Sequence, residues 1–344
     1  MTRFPYIDAL RGYAILGVIF AHVASSSPPP YDILQRIASA GARGVQLFFV
    51  TSAIALMFAW RSHNNGIKSF FIRRFFRIAP MFWLAIPATY VARLVFLPNG
   101  NASWDQIVAT AMFLHGLSPH WLNFAIEGNW TIAVEATFYM LFPIFAVNIT
   151  NLRRAIIGFC FSLALAAAAW PTLRFLAEAY GSSVAKNFAF MSFSMQAPCF
   201  MIGIATFFLI RLTKIPQWAP PAAGILSLMS IAVLSVVTTS VLPYVGFALA
   251  FGAAAYSLAN RPSLFVNPVI CWIGTISYSA YFWHFLIIKT LAPLHLDFTF
   301  LSLVTLGVTC ALSTATYLLI EDPMIVLGSR LSRSSKLEKF SFIG

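Results

Sequence analysis

Ile7-Asp8-Ala9-Leu10-Arg11-Gly12-Tyr13-Ala14-Ile15-Leu16-Gly17-Val18-Ile19-Phe20-Ala21-His22 is an apolar run that carries an arginine and a histidine eleven positions apart. At 100° per residue, eleven positions return a helix to within about 20° of its start, so Arg11 and His22 share one face about 16 Å apart. Asp8, three residues before Arg11, joins the same stripe. An ionisable side chain in a spanning helix costs about 2.5–3.5 kcal/mol on insertion scales, and such residues turn inward to a bundle or a wet cavity. The stretch therefore predicts a membrane helix whose polar face meets other helices.

The rest of the chain agrees. Of 344 residues, 60% are hydrophobic and only 9% charged, against about 25% charged in a soluble domain. Apolar runs long enough to cross a hydrocarbon core of about 30 Å fall near 7–25, 44–60, 77–97, 128–148, 155–172, 188–210, 221–239, 242–259, 269–290 and 299–320. The expectation is an all-α polytopic bundle of about ten transmembrane helices with both termini cytoplasmic. Its inner loops and helix ends then hold 16 of the 22 Lys and Arg residues, as the positive-inside rule requires. The stretch 101–127 is too weak to span and reads as an outer-face or re-entrant segment. Residues 1–331 form the transmembrane domain and 332–344 a short basic tail suited to anionic lipid.

The net charge of +12 comes from short clusters between apolar runs, with no aromatic-basic motif for nucleic acid. Cys160, Cys199, Cys271 and Cys310 lie within candidate spans without paired spacing, which supports neither a disulfide framework nor a metal site. No fixed-period repeat is visible, which weakens a transporter or flippase reading; the polar stripe on the first helix keeps that alternative open.

Three further clusters carry chemistry. Arg74 and Arg77, three apart between the second and third spans, point the same way on a helix and their guanidinium forks suit a phosphorylated cofactor or lipid headgroups. Glu135 in the fourth span needs a partner, and Thr131 and Tyr139 flank it at i−4 and i+4. In the ninth span, Ser277, Tyr281 and His284 form an i, i+4, i+7 stripe, with His284 at about the depth of His22. His63, His115, His120 and His295 read as structural or solvated. Glu321-Asp322-Pro323 ends the tenth span: the carboxylates fall within reach of Arg74, Arg77 or Arg11, while Pro323 is expected to stop the helix and leave Asp322 solvated.

Six blocks in this order resemble the membrane-bound acyltransferase 3 family: Ile7–Gly12 leading to His22; Gly44–Ser52; Arg74–Pro80; Trp130–Glu135 with Phe138-Tyr139; Ile276–Ser279 with Trp283-His284; and Tyr317–Pro323. Gln46 stands where the family often has an acid, and Ala53 where glycine is usual. The resemblance implies transfer of an acyl group, usually acetyl, from cytosolic acyl-CoA to a hydroxyl at or beyond the outer face. The partners so implied are membrane lipid and a carbohydrate or other hydroxyl acceptor, in a bacterial inner membrane, with no metal. Arg11, Arg74 and Arg77 would bind the donor. His22 would serve as general base or as a transient acyl carrier. Glu135 would orient it, and Tyr139, Ser277 or His284 would supply donors to the oxyanion.

Overall fold

The computed structural model describes residues 4–62, 66–96, 102–212, 214–237, 243–261 and 263–341, the side chains only to residue 333. Arg3 and His63 lie outside them. Every regular element among the described residues is helical, as expected where lipid offers the backbone no hydrogen-bond partner. Eight helices are long and apolar enough to cross a membrane. Two of the expected ten spans are shorter: α11 (Tyr244–Asn260) has 17 residues, and the ninth is broken at Ile276 into α12 (Pro268–Thr275) and α13 (Ser277–Leu291).

The first helix, α1 (Pro5–Ser26), is central, packing on α3 (Gly44–Ser62), α11, α12, α13 and α14 (Phe298–Thr316). Small residues let these backbones approach, as in other membrane bundles. A Cβ on Gly274 would lie 1.8 Å from the Asp8 carbonyl oxygen, and one on Gly12 would lie 2.3 Å from that of Ile270. Where α3 meets α9 (Phe193–Ile210), Gly203 makes the room: a Cβ there would come within 2.7 Å of Ala53 Cβ. The glycine absent at position 53 thus has a counterpart on the facing helix. Gln46 is buried and donates to Gln196 Oε1 at 2.9 Å, a neutral helix–helix bond.

The segment between α4 (Gly66–Phe96) and α6 (Trp130–Asn148) does not span. It holds the eight-residue α5 (Trp104–Ala111), a short turn at His115–Leu117 and irregular backbone. His115 is fully buried there and its Nε2–H donates to the Asn129 carbonyl at 2.9 Å, tying the segment to the start of α6. Burial pushes the His115 pKa down to about 4.

The chain does not stop at Pro323. A π-turn at Tyr317–Glu321 joins α14 to α15 (Asp322–Ser341), so the helix runs on through position 331. The widened turn absorbs the missing proline N–H and the ring's bulk. Asp322, expected to be solvated, is only partly exposed, accepts the Tyr317 hydroxyl at 3.3 Å and lines the main cavity. Ser332 of α15 is buried against α4, its carbonyl accepting from Ser69 Oγ at 2.9 Å.

Candidate active site

A cavity of about 510 Å³ enters the bundle at the end where α3 finishes and α4 begins. Ser62, Arg73, Arg74, Arg77, Asp322 and Arg333 line its entrance region, and Asp8, Arg11, Glu135, Tyr139, Ser277 and Tyr281 line it further. Thr131, at the start of α6, marks its reach toward the opposite end. Eight of the eleven candidate residues thus border one space directly.

Each charged group there is held differently. Arg77 pairs with Glu321 at 3.7 Å. Glu321 is 2% exposed and accepts the Ser279 hydroxyl, at the end of the π-turn that follows the buried stripe Leu301, Thr305, Thr309 and Ser313 of α14. Arg74 has no ion pair among the described residues; it lies over the rings of Phe70, at 6.0 Å, and Tyr139, at 5.8 Å. Its Nε is buried without a hydrogen-bond partner. Asp8 and Glu135 both interact electrostatically with Arg11, so its charge is offset by two carboxylates.

Glu135 accepts hydrogen bonds from Ser52 Oγ, at 2.8 Å, and from the Tyr139 hydroxyl. Of its two flanking residues, Tyr139 therefore serves as anticipated. The Thr131 hydroxyl donates instead to the Gly128 carbonyl at 3.1 Å. Ser52 comes from the Gly44–Ser52 block, but a serine among apolar residues gives no sequence signal of its partner 83 positions away. Glu135's hydrogen bonds place it with the cavity rather than against a histidine.

The two histidines do meet. The rings of His22 and His284 lie 5.4 Å apart, and Phe285 packs on both, at 4.4 Å and 4.1 Å. His22 is half-buried; His284 is fully buried. His284 Nδ1 lies 2.9 Å from the Ala280 carbonyl, which can only accept, so Nδ1 carries the proton. A neutral His284 then presents a lone pair at Nε2, which has no partner. It offers no N–H to an oxyanion.

Neither histidine borders the cavity, whereas Tyr281, one turn before His284, does. The Tyr281 hydroxyl donates to the Gly128 carbonyl at 3.0 Å. Gly128 has φ +74°, and a Cβ on it would lie 2.5 Å from the Phe285 ring and 3.0 Å from the Tyr281 hydroxyl. Tyr281, Gly128 and Phe285 thus form a packed partition beside the histidines. Ser277, buried on the same helix, lines the cavity below it. No group of three or more His, Cys, Asp or Glu among the described residues could hold a metal ion.

The family described as "Acyltransferase domain" matches residues 4–320. Peptidoglycan O-acetyltransferase OatA of Listeria monocytogenes is 24% identical over 326 residues, covering 84% of this chain and 50% of that protein. A Staphylococcus aureus protein named "Putative O-acetyltransferase SAR0937" is 24% identical over 99% of this chain and 60% of its own length. A Bacillus subtilis protein named "Putative peptidoglycan O-acetyltransferase YrhL" is 23% identical over 95% of this chain and 55% of its own. The chain thus spans half to three-fifths of the length of these relatives. No solved structure matches it.

Proposed function

We propose that this chain, which belongs to the acyltransferase domain family, carries an acetyl group from acetyl-CoA in the arginine-mouthed cavity to a glycan hydroxyl arriving from the opposite side of the membrane. The observation that carries this reading is the cavity itself. It begins at Arg73, Arg74 and Arg77 and extends to Ser277 and Tyr281, one to two turns from the His22–His284 pair. The excess of Lys and Arg on that side supports a cytoplasmic mouth and cytoplasmic termini, and suits a bacterial inner membrane.

Phosphates suit the entrance because Arg74 has no ion pair among the described residues, and a guanidinium can bind two phosphate oxygens at once. Arg11 lies deeper along the donor's path. The thioester would lie near Ser277 and Tyr281. An alcohol is a weak nucleophile at neutral pH, and an imidazole is a suitable base for it. As the acceptor oxygen attacks the thioester carbonyl carbon, its proton passes to His22. The negative charge develops on the carbonyl oxygen, where the Ser277 hydroxyl can donate. Collapse breaks the C–S bond, and His22 returns the proton to the leaving thiolate.

The names of the relatives point to a cell-wall glycan as acceptor. The test is coenzyme A release by the purified protein with acetyl-CoA and glycan fragments. Acceptor-dependent release that falls about 100-fold or more in His22→Ala, with the variant still folded, supports the reading. Undiminished release in that variant overturns the role of His22, and glycan movement without acetylation overturns the transferase.

A further inference from the structure

The main cavity is not the only space that reaches the entrance arginines. A second cleft, of about 130 Å³, is bordered by Trp60, Gly66, Ile67 and Phe70, and it shares Arg73 and Arg74 with the main cavity. Trp60 is half-buried and held by T-shaped contacts with Phe70, at 5.7 Å, and Phe142, at 5.9 Å. At the rim, a Cβ on Gly66, in the first turn of α4, would meet none of the described residues within 4 Å.

The charges at the junction are uneven. Arg77 is paired by Glu321, and Arg11 lies near Asp8 and Glu135, deeper in. Arg73, Arg74 and Arg333 line the main cavity with Asp322 as the one carboxylate of its entrance region among the described residues. Arg73 is oriented by α15, its Nη1 donating to Ser332 Oγ at 3.2 Å. The C-terminal helix therefore supplies one cation and aims another.

An aromatic cleft, a cationic junction and the larger main cavity adjoin one another. We propose that the cleft is a subsite for a purine base, with Arg73, Arg74 and Arg333 holding the phosphates of the same molecule. This rests on the acyl-CoA reading above and adds where the nucleotide end sits. A planar base gains affinity by stacking on an indole, and several phosphates require the surplus cations. An acyl donor lacking the nucleotide would use the main cavity alone.

The experiment compares acetyl-CoA with S-acetylpantetheine, which keeps the thioester arm without nucleotide, in wild type, Trp60→Ala and Trp60→Phe. Adenosine 3′,5′-bisphosphate serves as competing probe. Trp60→Ala is expected to raise KM for acetyl-CoA about tenfold, the scale of one stacked base, with kcat and the use of S-acetylpantetheine unchanged. It should also weaken competition by the bisphosphate about tenfold, and Trp60→Phe should restore most of it. Equal losses with both donors would mark Trp60 as structural and overturn the subsite. So would competition indifferent to Trp60, which would leave the arginines to lipid headgroups. If wild type turns over neither donor and binds no bisphosphate, the donor reading itself fails, and the subsite with it.

Discussion

His22 and His284 face each other with ring centroids 5.4 Å apart, and of the two His284 has a ring proton fixed by a main-chain carbonyl. That asymmetry divides their roles. His284 Nε2 is a buried acceptor with no donor, and an unsatisfied buried polar atom costs about 1–3 kcal/mol. The adjacent ring best able to donate to it is His22. An N–H from His22 to this nitrogen would leave the other nitrogen of His22 as the free base and steady the imidazolium that forms during transfer.

His284→Phe should therefore lower kcat by about 100-fold, within the range for loss of acid–base assistance, with KM for acetyl-CoA nearly unchanged. His284→Gln keeps an acceptor at similar reach and should retain several times more activity than the phenylalanine variant. Steady-state kinetics of the two decides the matter. Equal activity in both variants would remove the acceptor role.

Glu321 and Arg77 give a second prediction, about the cost of burying charge. Removing one member of a fully buried pair costs about 3–5 kcal/mol, because the other stays uncompensated; Arg77 is 27% exposed, so the loss here is smaller. Glu321→Leu should lower thermal stability in detergent, and Arg77→Met added to it should recover most of the loss. Donor affinity should not recover, since the double variant still lacks a cavity guanidinium. Recovery of both would mean that Arg77 serves packing alone.

A third concerns the close approach of α1 and α12. Gly274→Ala puts a methyl 1.8 Å from the Asp8 carbonyl, and a backbone atom cannot yield as a flexible side chain can. The helices must separate beside Arg11, so both stability and donor binding should fall. Gly307→Ala, where a Cβ meets nothing within 4 Å, is the matched control and should be neutral. Thermal unfolding and acetyl-CoA affinity, measured on both, test the contrast.

These contacts also show what the sequence alone carried. The cost of placing Arg11, Glu135 and His284 in lipid forces them inward, so their shared interior could be read from spacing and composition. Periodicity along one helix also revealed the Tyr139–Glu135 bond. Partners across the fold left no such trace: Ser52 for Glu135, Ser279 for Glu321 and Ala280 for His284 are ordinary residues until packing defines them. Pro323 misled for a different reason. A proline normally ends a helix, but the π-turn before it changes the local hydrogen-bonding register, which no propensity encodes.

The last prediction concerns acid. His115 is held neutral by burial, with a pKa of about 4, while an unfolded histidine protonates near 6.5. Above pH 6.5 both states are neutral and its contribution to stability is complete. As pH falls through the window from 6.5 to 4, the unfolded state takes up the proton first, so stability drops, by up to about 3 kcal/mol at 1.36 kcal/mol per pKa unit. Below about pH 4 the loss levels off. Gln carries an amide N–H able to keep the bond to the Asn129 carbonyl but does not titrate. His115→Gln should therefore match wild type near pH 7.5 and lose less stability on acidification to pH 5. Thermal unfolding of both proteins in the same detergent at the two pH values measures the difference; parallel losses would show that His115 does not stay neutral in the fold.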